Sequence, residues 1–135
     1  MKKKQLIHTS GKRKKAIARV TLHPGTGQLF LNSMHLDNYA PRMAKLRLQE
    51  PLLLAGEEVT GKLDIYVNVK GGGMSSQTDA SRLAIARALV ELNPKLKAVF
   101  LSYDRQLLVA DVRRKEASKP NCRGRARSKR QKSYR

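Results

Sequence analysis

The chain has 135 residues, a net charge of +19, one cysteine and no tryptophan, and a sequence pI of about 10.8. That length suits one domain with an attached tail, and such a charge speaks about partners rather than about fold. A membrane span is not expected, since no run reaches ~18 apolar residues. Nor is a secretory leader, since no apolar stretch of about 7–15 residues follows the basic start Met1–Gln5. The lone Cys122 can close no internal disulfide, as expected in a reducing compartment.

The charge is unevenly placed. Residues 1–19 hold eight Lys/Arg and no acid, residues 20–112 hold ten against nine acids, and residues 113–135 hold eleven against the single acid Glu116. The division is therefore an almost neutral body with a basic N-terminal strand and loop, residues 1–112, and a basic tail, residues 113–135. After Val112 the tail has no Leu, Ile, Val or Phe. It cannot bury enough apolar surface to offset the entropy of ordering its backbone, so a polyanion, nucleic acid foremost, is the expected partner.

In chain order, Gln5–Thr9 reads as a short strand, Ser10–Lys15 as a basic loop that starts at Gly11, and Ala16–Leu22 as a second strand. Pro24–Gly27 reads as a turn into the short return strand Gln28–Leu31, suggesting an antiparallel hairpin. Met34 to about Leu48 carries a helical signal with Pro41 at a start or kink, and Leu52–Gly56 leads out of it. Leu63–Val69 alternates cleanly, with Leu63, Ile65, Val67 and Val69 on one face.

The glycine loop Lys70–Ser75 then opens into a helix that Ser76 or Thr78 can cap, with Asp79 in its first turn. Ile85, Ala88, Leu89 and Leu92 share a face, Asp79, Arg82 and Glu91 lie away from it, and Asn93-Pro94 ends it. Lys95–Tyr103 reads as a shorter helix with Leu96, Val99 and Phe100 inward, and Leu107–Asp111 as a last strand or a helix end. This order implies an α+β fold, a sheet with helices packed on one side.

Catalysis has little to stand on. His8, His23 and His35 fall on separate elements, with no carboxylate or cysteine at ligand-like spacing, so neither a metal nor another cofactor is expected. Asp104 beside Arg105 reads as a helix-end or surface pair. The loop Gly71-Gly72-Gly73 between a strand and a helix can present backbone N–H groups to a phosphate, or can simply be a tight turn. It lacks the spacing of a nucleotide-binding fingerprint. Lys12, Arg13, Lys14, Lys15 and Arg19 form a second cationic locus suited to phosphate contacts. Tyr134, the tail's aromatic ring, is placed to stack on a base or to stand in solvent.

Four stretches together resemble the family of small-subunit ribosomal protein nine, in its archaeal and eukaryotic form. They are Gly11-Lys12-Arg13-Lys14 with Ala18-Arg19-Val20, Val69-Lys70-Gly71-Gly72-Gly73, Ile85-Ala86-Arg87-Ala88-Leu89, and Leu108 to Glu116; the ending Lys129 to Arg135 is similar to the archaeal and eukaryotic members. The resemblance implies a single βαβ-rich body, like the second domain of small-subunit ribosomal protein five, with an extended basic C-terminal tail. It implies no enzyme activity and a cytoplasmic place in the head of the small ribosomal subunit, among neighbouring head proteins. The implied contacts to ribosomal RNA are Lys12, Arg13, Lys14, Lys15, Arg19, Lys70, Gly71, Gly72 and Gly73, with Arg113, Arg114, Lys115, Lys119, Arg123, Arg125, Arg127, Lys129 and Arg130 in the tail. Arg135 is implied to touch peptidyl-site tRNA, with Lys132 and Tyr134 beside it. The chain ends Ser-Tyr-Arg where the bacterial pattern ends Ser-Lys-Arg, and Met74-Ser75-Ser76-Gln77 stands where the family is glycine-rich. A nucleic-acid compacting protein without a fixed site, and an enzyme holding a nucleotide phosphate on the glycine loop, are the other two readings.

Overall fold

The computed structural model describes residues 6–127. Strands β1 (Ile7–Arg13) and β2 (Ala16–Pro24) form an antiparallel hairpin in which only Lys14 and Lys15 stand between the strands, with Lys14 at φ 52°. The expected basic loop over Ser10–Lys15 is thus mostly strand. β-Branched and apolar residues alternate with polar ones through both strands, and that period of two outweighs the local charge.

Strand β2 pairs antiparallel with β5 (Leu63–Lys70), and β5 pairs parallel with β3 (Leu29–Leu31), which in turn pairs antiparallel with β4 (Met34–His35). The sheet order is β1-β2-β5-β3-β4. The expected hairpin of β2 with β3 is therefore not formed: β5 inserts between them. A parallel pair needs a crossover, and here it is α1 (Arg42–Ala55) with the one-turn α2 (Glu57–Thr60), making a βαβ unit.

Helix α1 starts after Pro41, which occupies its N-cap, and the segment Met34–Asn38 that was expected to be helical is β4 followed by a 3-10 turn. A residue before proline is pushed out of the helical region, so Ala40 blocks an earlier start. At the other end α1 runs through Pro51, which is buried, and stops at Gly56 with φ 83°. Burial of that turn outweighs the lost N–H.

Alternation places Ala16, Ala18, Val20 and Leu22 of β2, Ile65, Val67 and Val69 of β5, and Leu29 and Leu31 of β3 on one buried face. Leu48 of α1, Phe100 of α4 (Leu96–Tyr103) and the alanine-rich side of α3 (Met74–Leu92) complete the core. Helices cover this face, as the α+β reading expects.

Helix α3 lies across β1 and β2. A Cβ at Gly11 would overlap the Ala80 carbonyl oxygen and come within 2.8 Å of the Ala84 nitrogen. Glycine there admits the helix backbone against the strand.

Several side-chain expectations change in three dimensions. Gly73, rather than Ser76 or Thr78, is the N-cap of α3, and the Thr78 hydroxyl donates back to the Met74 carbonyl. Leu92 and Val99 are exposed, because they fall at a helix end and on the outer side of α4. Arg82 does not face solvent: its guanidinium bridges Glu50 of α1 at 2.6 Å and Asp104 at 3.0 Å, tying three elements together. Asp104 also accepts from the Gln106 amide as a cap of the 3-10 turn Arg105–Leu107, so the helix-end half of its expected role stands and its charge partner is Arg82.

Candidate nucleic-acid interface

Three segments far apart in sequence meet at one end of the sheet: the β1–β2 turn, the β5–α3 loop and the root of the tail. The glycine loop makes the meeting possible. Gly71 and Gly72 both sit at positive φ, 78° and 67°. A Cβ on Gly71 would stand 2.6 Å from the Lys15 carbonyl oxygen, and one on Gly72 3.1 Å from the Ala16 nitrogen. These two positions thus act first as a tight turn that accepts the hairpin. Gly73 has open space around it and caps α3 without a side-chain hydrogen bond, leaving the positive end of that helix accessible.

The root of the tail is held by arginines. Leu107 is buried, and Arg87 of α3 donates from Nε to the Leu108 carbonyl at 3.1 Å and from Nη1 to the Ser10 carbonyl at 2.9 Å. Arg13 pairs with Asp111 and reaches Asp79 at 3.7 Å, and Asp79 also receives Arg47 at 2.7 Å. Arg113 folds back on Asp111, and Arg114 donates to the Lys14 carbonyl at 3.0 Å. Residues 111–114 therefore run alongside the β1–β2 turn.

The result is an open cleft of about 800 Å³ bounded by Lys12, Lys14, Lys15, Arg113, Arg114 and Lys115, with Ile17, Gly72, Gly73 and Ser76 between them. No acid lines it. Apart from Arg113, none of the six cations has a carboxylate within ion-pair distance among the described residues. Clustered cations next to the open helix N-terminus at Gly73 can hold phosphate oxygens both by charge and by N–H donation.

The remaining expected residues lie elsewhere. Arg13 stands apart from its neighbours, with a side chain only 19% exposed and committed to Asp111 and Asp79. Arg19 and Lys70 are exposed on the helix-free face of the sheet. Lys119 and Arg127 both pair with Glu116, at 2.7 and 3.0 Å, and that hydrogen bond from Lys119, then the charge of Arg127, hold the Glu116 carboxyl below its usual range. Ser118 donates to the Gly124 carbonyl and the Lys119 amide to the Arg125 carbonyl, so the stretch from Glu116 to Arg127 closes on itself, with Arg123 and Arg125 exposed. Lys129, Arg130, Lys132, Tyr134 and Arg135 lie outside the described residues.

Sequence reading missed Arg87 and Asp111 as the anchors of the tail. One signal was present: Arg87 is the only charge in the run Leu83–Val90, and a lone cation on a buried helix face needs fixed acceptors. Among the described residues, no three His, Cys, Asp or Glu side chains gather as a metal site, and no helix is long and apolar enough to cross a membrane.

The fold and the cleft define a class: a one-sided α+β sheet that brings cations from two distant segments together beside a glycine loop, on a single open surface. The family model described as ribosomal protein S9/S16 matches residues 11–135. The chain is 48% identical over 134 residues to the small ribosomal subunit protein uS9 of Methanococcus vannielii, covering 97% of this chain and 99% of that one. The same identity and coverage are found with uS9 of the C7 and C5 strains of Methanococcus maripaludis. The chain belongs to the ribosomal protein S9/S16 family.

Proposed function

We propose that the protein is a structural component of the small ribosomal subunit in the cytoplasm. Its body, related in fold to the second domain of small-subunit ribosomal protein five, sits in the subunit head among neighbouring head proteins. Its tail, residues 113–135, leads toward the peptidyl-site tRNA. The observation that carries this reading is the acid-free cleft, in which six cations from two distant stretches of a ribosomal-family chain converge. A fixed cluster of this kind suits a backbone held in one place, and a compacting protein without a fixed site would not need it. The enzyme reading loses its main feature, since Gly71 and Gly72 are occupied in packing against Lys15 and Ala16.

In this reading Lys12, Lys14, Lys15, Arg113, Arg114 and Lys115 hold ribosomal RNA phosphates, and Gly73 leaves backbone donors open beside them. Arg13 organises the site through Asp111. Arg19, Lys70, Arg123 and Arg125 extend the surface, and Lys119, Arg127, Lys129 and Arg130 continue it along the tail. Arg135 contacts the tRNA backbone with Lys132 and Tyr134 nearby, a role supported by the family resemblance of the ending.

Sedimentation of a native extract on sucrose gradients, at low and moderately high salt, tests the first part. Stoichiometric recovery with the small subunit at both salts is expected, and a peak elsewhere overturns it. Deleting Arg135 tests the second part. Subunits carrying that truncation are expected to assemble but to hold peptidyl-site tRNA about 1–3 kcal/mol more weakly, the range for a charge-assisted contact. Unchanged tRNA affinity removes the role.

A further inference from the structure

The face of the sheet opposite the helices is uncovered in the described structure, and it is not an ordinary polar face. Strand pairing sets Phe30 opposite Tyr66 and His35 opposite Phe30, so that rings line up across β5, β3 and β4. Phe30 and Tyr66 are nearly parallel, with centroids 5.2 Å apart and planes 9° apart. His23 and His35 meet the two ends of this pair edge-on, at 5.3 and 5.4 Å. Two of the chain's six Phe and Tyr residues and two of its three histidines stand in this one row, and Tyr66 is 45% exposed.

Along the same face the chemistry changes from aromatic to cationic. Arg19 is exposed one step from the row, and Lys70 and Lys12 flank Ile17 one step further, where the face meets the cleft. Asp64 is the one acid on the five strands, and its carboxylate accepts from the Thr26 amide at 2.8 Å and the Gln28 amide at 3.1 Å. From Tyr66 to Lys70 is four residues, about 13 Å at the rise of a strand. That is roughly the length of four stacked nucleotides at 3.4 Å each.

We propose that this face is a second RNA contact, taking a short unpaired segment whose bases lie against the Tyr66–Phe30 row while its phosphates pass Arg19 toward the cleft. The inference rests on the RNA-binding reading above and adds a ligand class to it: unpaired rather than duplex RNA. Aromatic side chains on an open sheet stack bases that are free to turn outward. A duplex keeps its bases paired and stacked inside, and offers such a row nothing but backbone. An apolar protein segment could also cover rings, but it would leave Arg19, Lys12 and Lys70 facing no opposite charge.

The experiment compares the full chain with its Tyr66→Leu, Phe30→Leu and Tyr66→Phe variants. The probes are an oligouridine of about twelve nucleotides and an RNA duplex of the same length, each titrated at several salt concentrations. Leucine keeps apolar bulk and removes the ring; phenylalanine keeps the ring. Tyr66→Leu is expected to weaken oligouridine binding about tenfold, within the range for loss of one stacking partner, with the salt slope and the duplex affinity unchanged. Tyr66→Phe is expected to bind like the parent chain.

Equal oligouridine affinity for the parent and Tyr66→Leu, or an equal loss on both probes, overturns the proposal. If Tyr66→Leu fails to fold, Phe30→Leu carries the same comparison. Replacing Lys14, Lys15 and Lys115 by glutamine separates the two readings: an unchanged salt slope there counts against the cleft, while a Tyr66→Leu null counts only against the aromatic face. Ultraviolet crosslinking in intact small subunits decides the occupant. An adduct between a nucleotide and the peptide holding Tyr66 or Phe30 agrees with the proposal, and a crosslink from that peptide to another protein refutes it.

Discussion

Neutralising the cleft should change the salt dependence of RNA binding by an amount that can be worked out beforehand. Lys14, Lys15 and Lys115 are the residues to change, each to glutamine. They line the cleft without ion-pair partners among the described residues, whereas Arg113 and Arg114 also hold the tail root to Asp111 and Lys14. Each phosphate neutralised contributes about 0.7–0.9 to the slope of log affinity against log salt. Six cleft cations therefore give a slope of at least about 4, and binding should fall by roughly two and a half factors of ten between 50 and 200 mM salt. Removing three of them should lower the slope by about 2 and leave a fall of only about 16-fold over that interval.

Folding should respond in the opposite sense. Two unit charges 8 Å apart in water repel by roughly 0.5 kcal/mol, so relieving the cluster should leave the melting temperature of the free protein unchanged or slightly raised. Fluorescence anisotropy with a fragment of the small-subunit RNA at five or more salt concentrations, beside a thermal melt, reads both effects. A triple variant with the parent slope would mean that the counterions leave from elsewhere, and the cleft would not be the binding surface.

Three further outcomes follow from the packing. Gly11→Ala places a methyl against the Ala80 carbonyl and the Ala84 amide of α3, backbone atoms that cannot swing aside; a loss of about 2–3 kcal/mol is expected in denaturant titration, at the upper end for overpacking. Arg87→Met keeps the aliphatic stem but removes both donors to Leu108 and Ser10; stability should fall by about 1–3 kcal/mol, with hydrogen exchange rising first in residues 108–114. Asp64, held below its ordinary carboxylate value by the amides of Gln28 and then Thr26, contributes stability above the unfolded value near 4 and loses it as pH falls through the lower folded value. Acid titration of Asp64→Asn should show a smaller loss of stability below about pH 4 than the parent chain, and an identical profile would remove that role.

The elements legible in the sequence were those with an unbroken period. Leu63–Val69 alternates and is β5, and the α3 pattern around Ile85, Ala88 and Leu89 is buried as expected. The segment Ser10–Lys15 was not legible because its charges suggest a loop, while the structure is decided by pairing with β2 and by Gly11 fitting against α3. The partner of β3 was hidden for a different reason. Nearby turn residues favour a hairpin with β2, but β5, more than thirty residues later, takes the place between them, and no local signal encodes that insertion. At the cleft, the cationic segments were visible one by one. That they meet depends on the close approach of Gly71 to Lys15 and on Arg87 gripping Leu108, both contacts between distant parts of the chain.

These contacts also show how a body of nearly balanced charge comes to serve a highly charged surface. Asp111 and Asp79 are placed behind the cleft, where they fix Arg13, Arg47 and Arg113, while the walls remain free of acid. The carboxylates thus hold the scaffold that gathers the cations, without neutralising the lysines that face outward. Exchanging Asp111 for asparagine would add positive charge to the region and yet would be expected to weaken RNA binding, because Arg13 and Arg113 would lose the group that aligns the tail with the β1–β2 turn. A purely additive electrostatic surface would respond with the opposite sign, so this one substitution distinguishes an organised cleft from a diffuse cloud of charge.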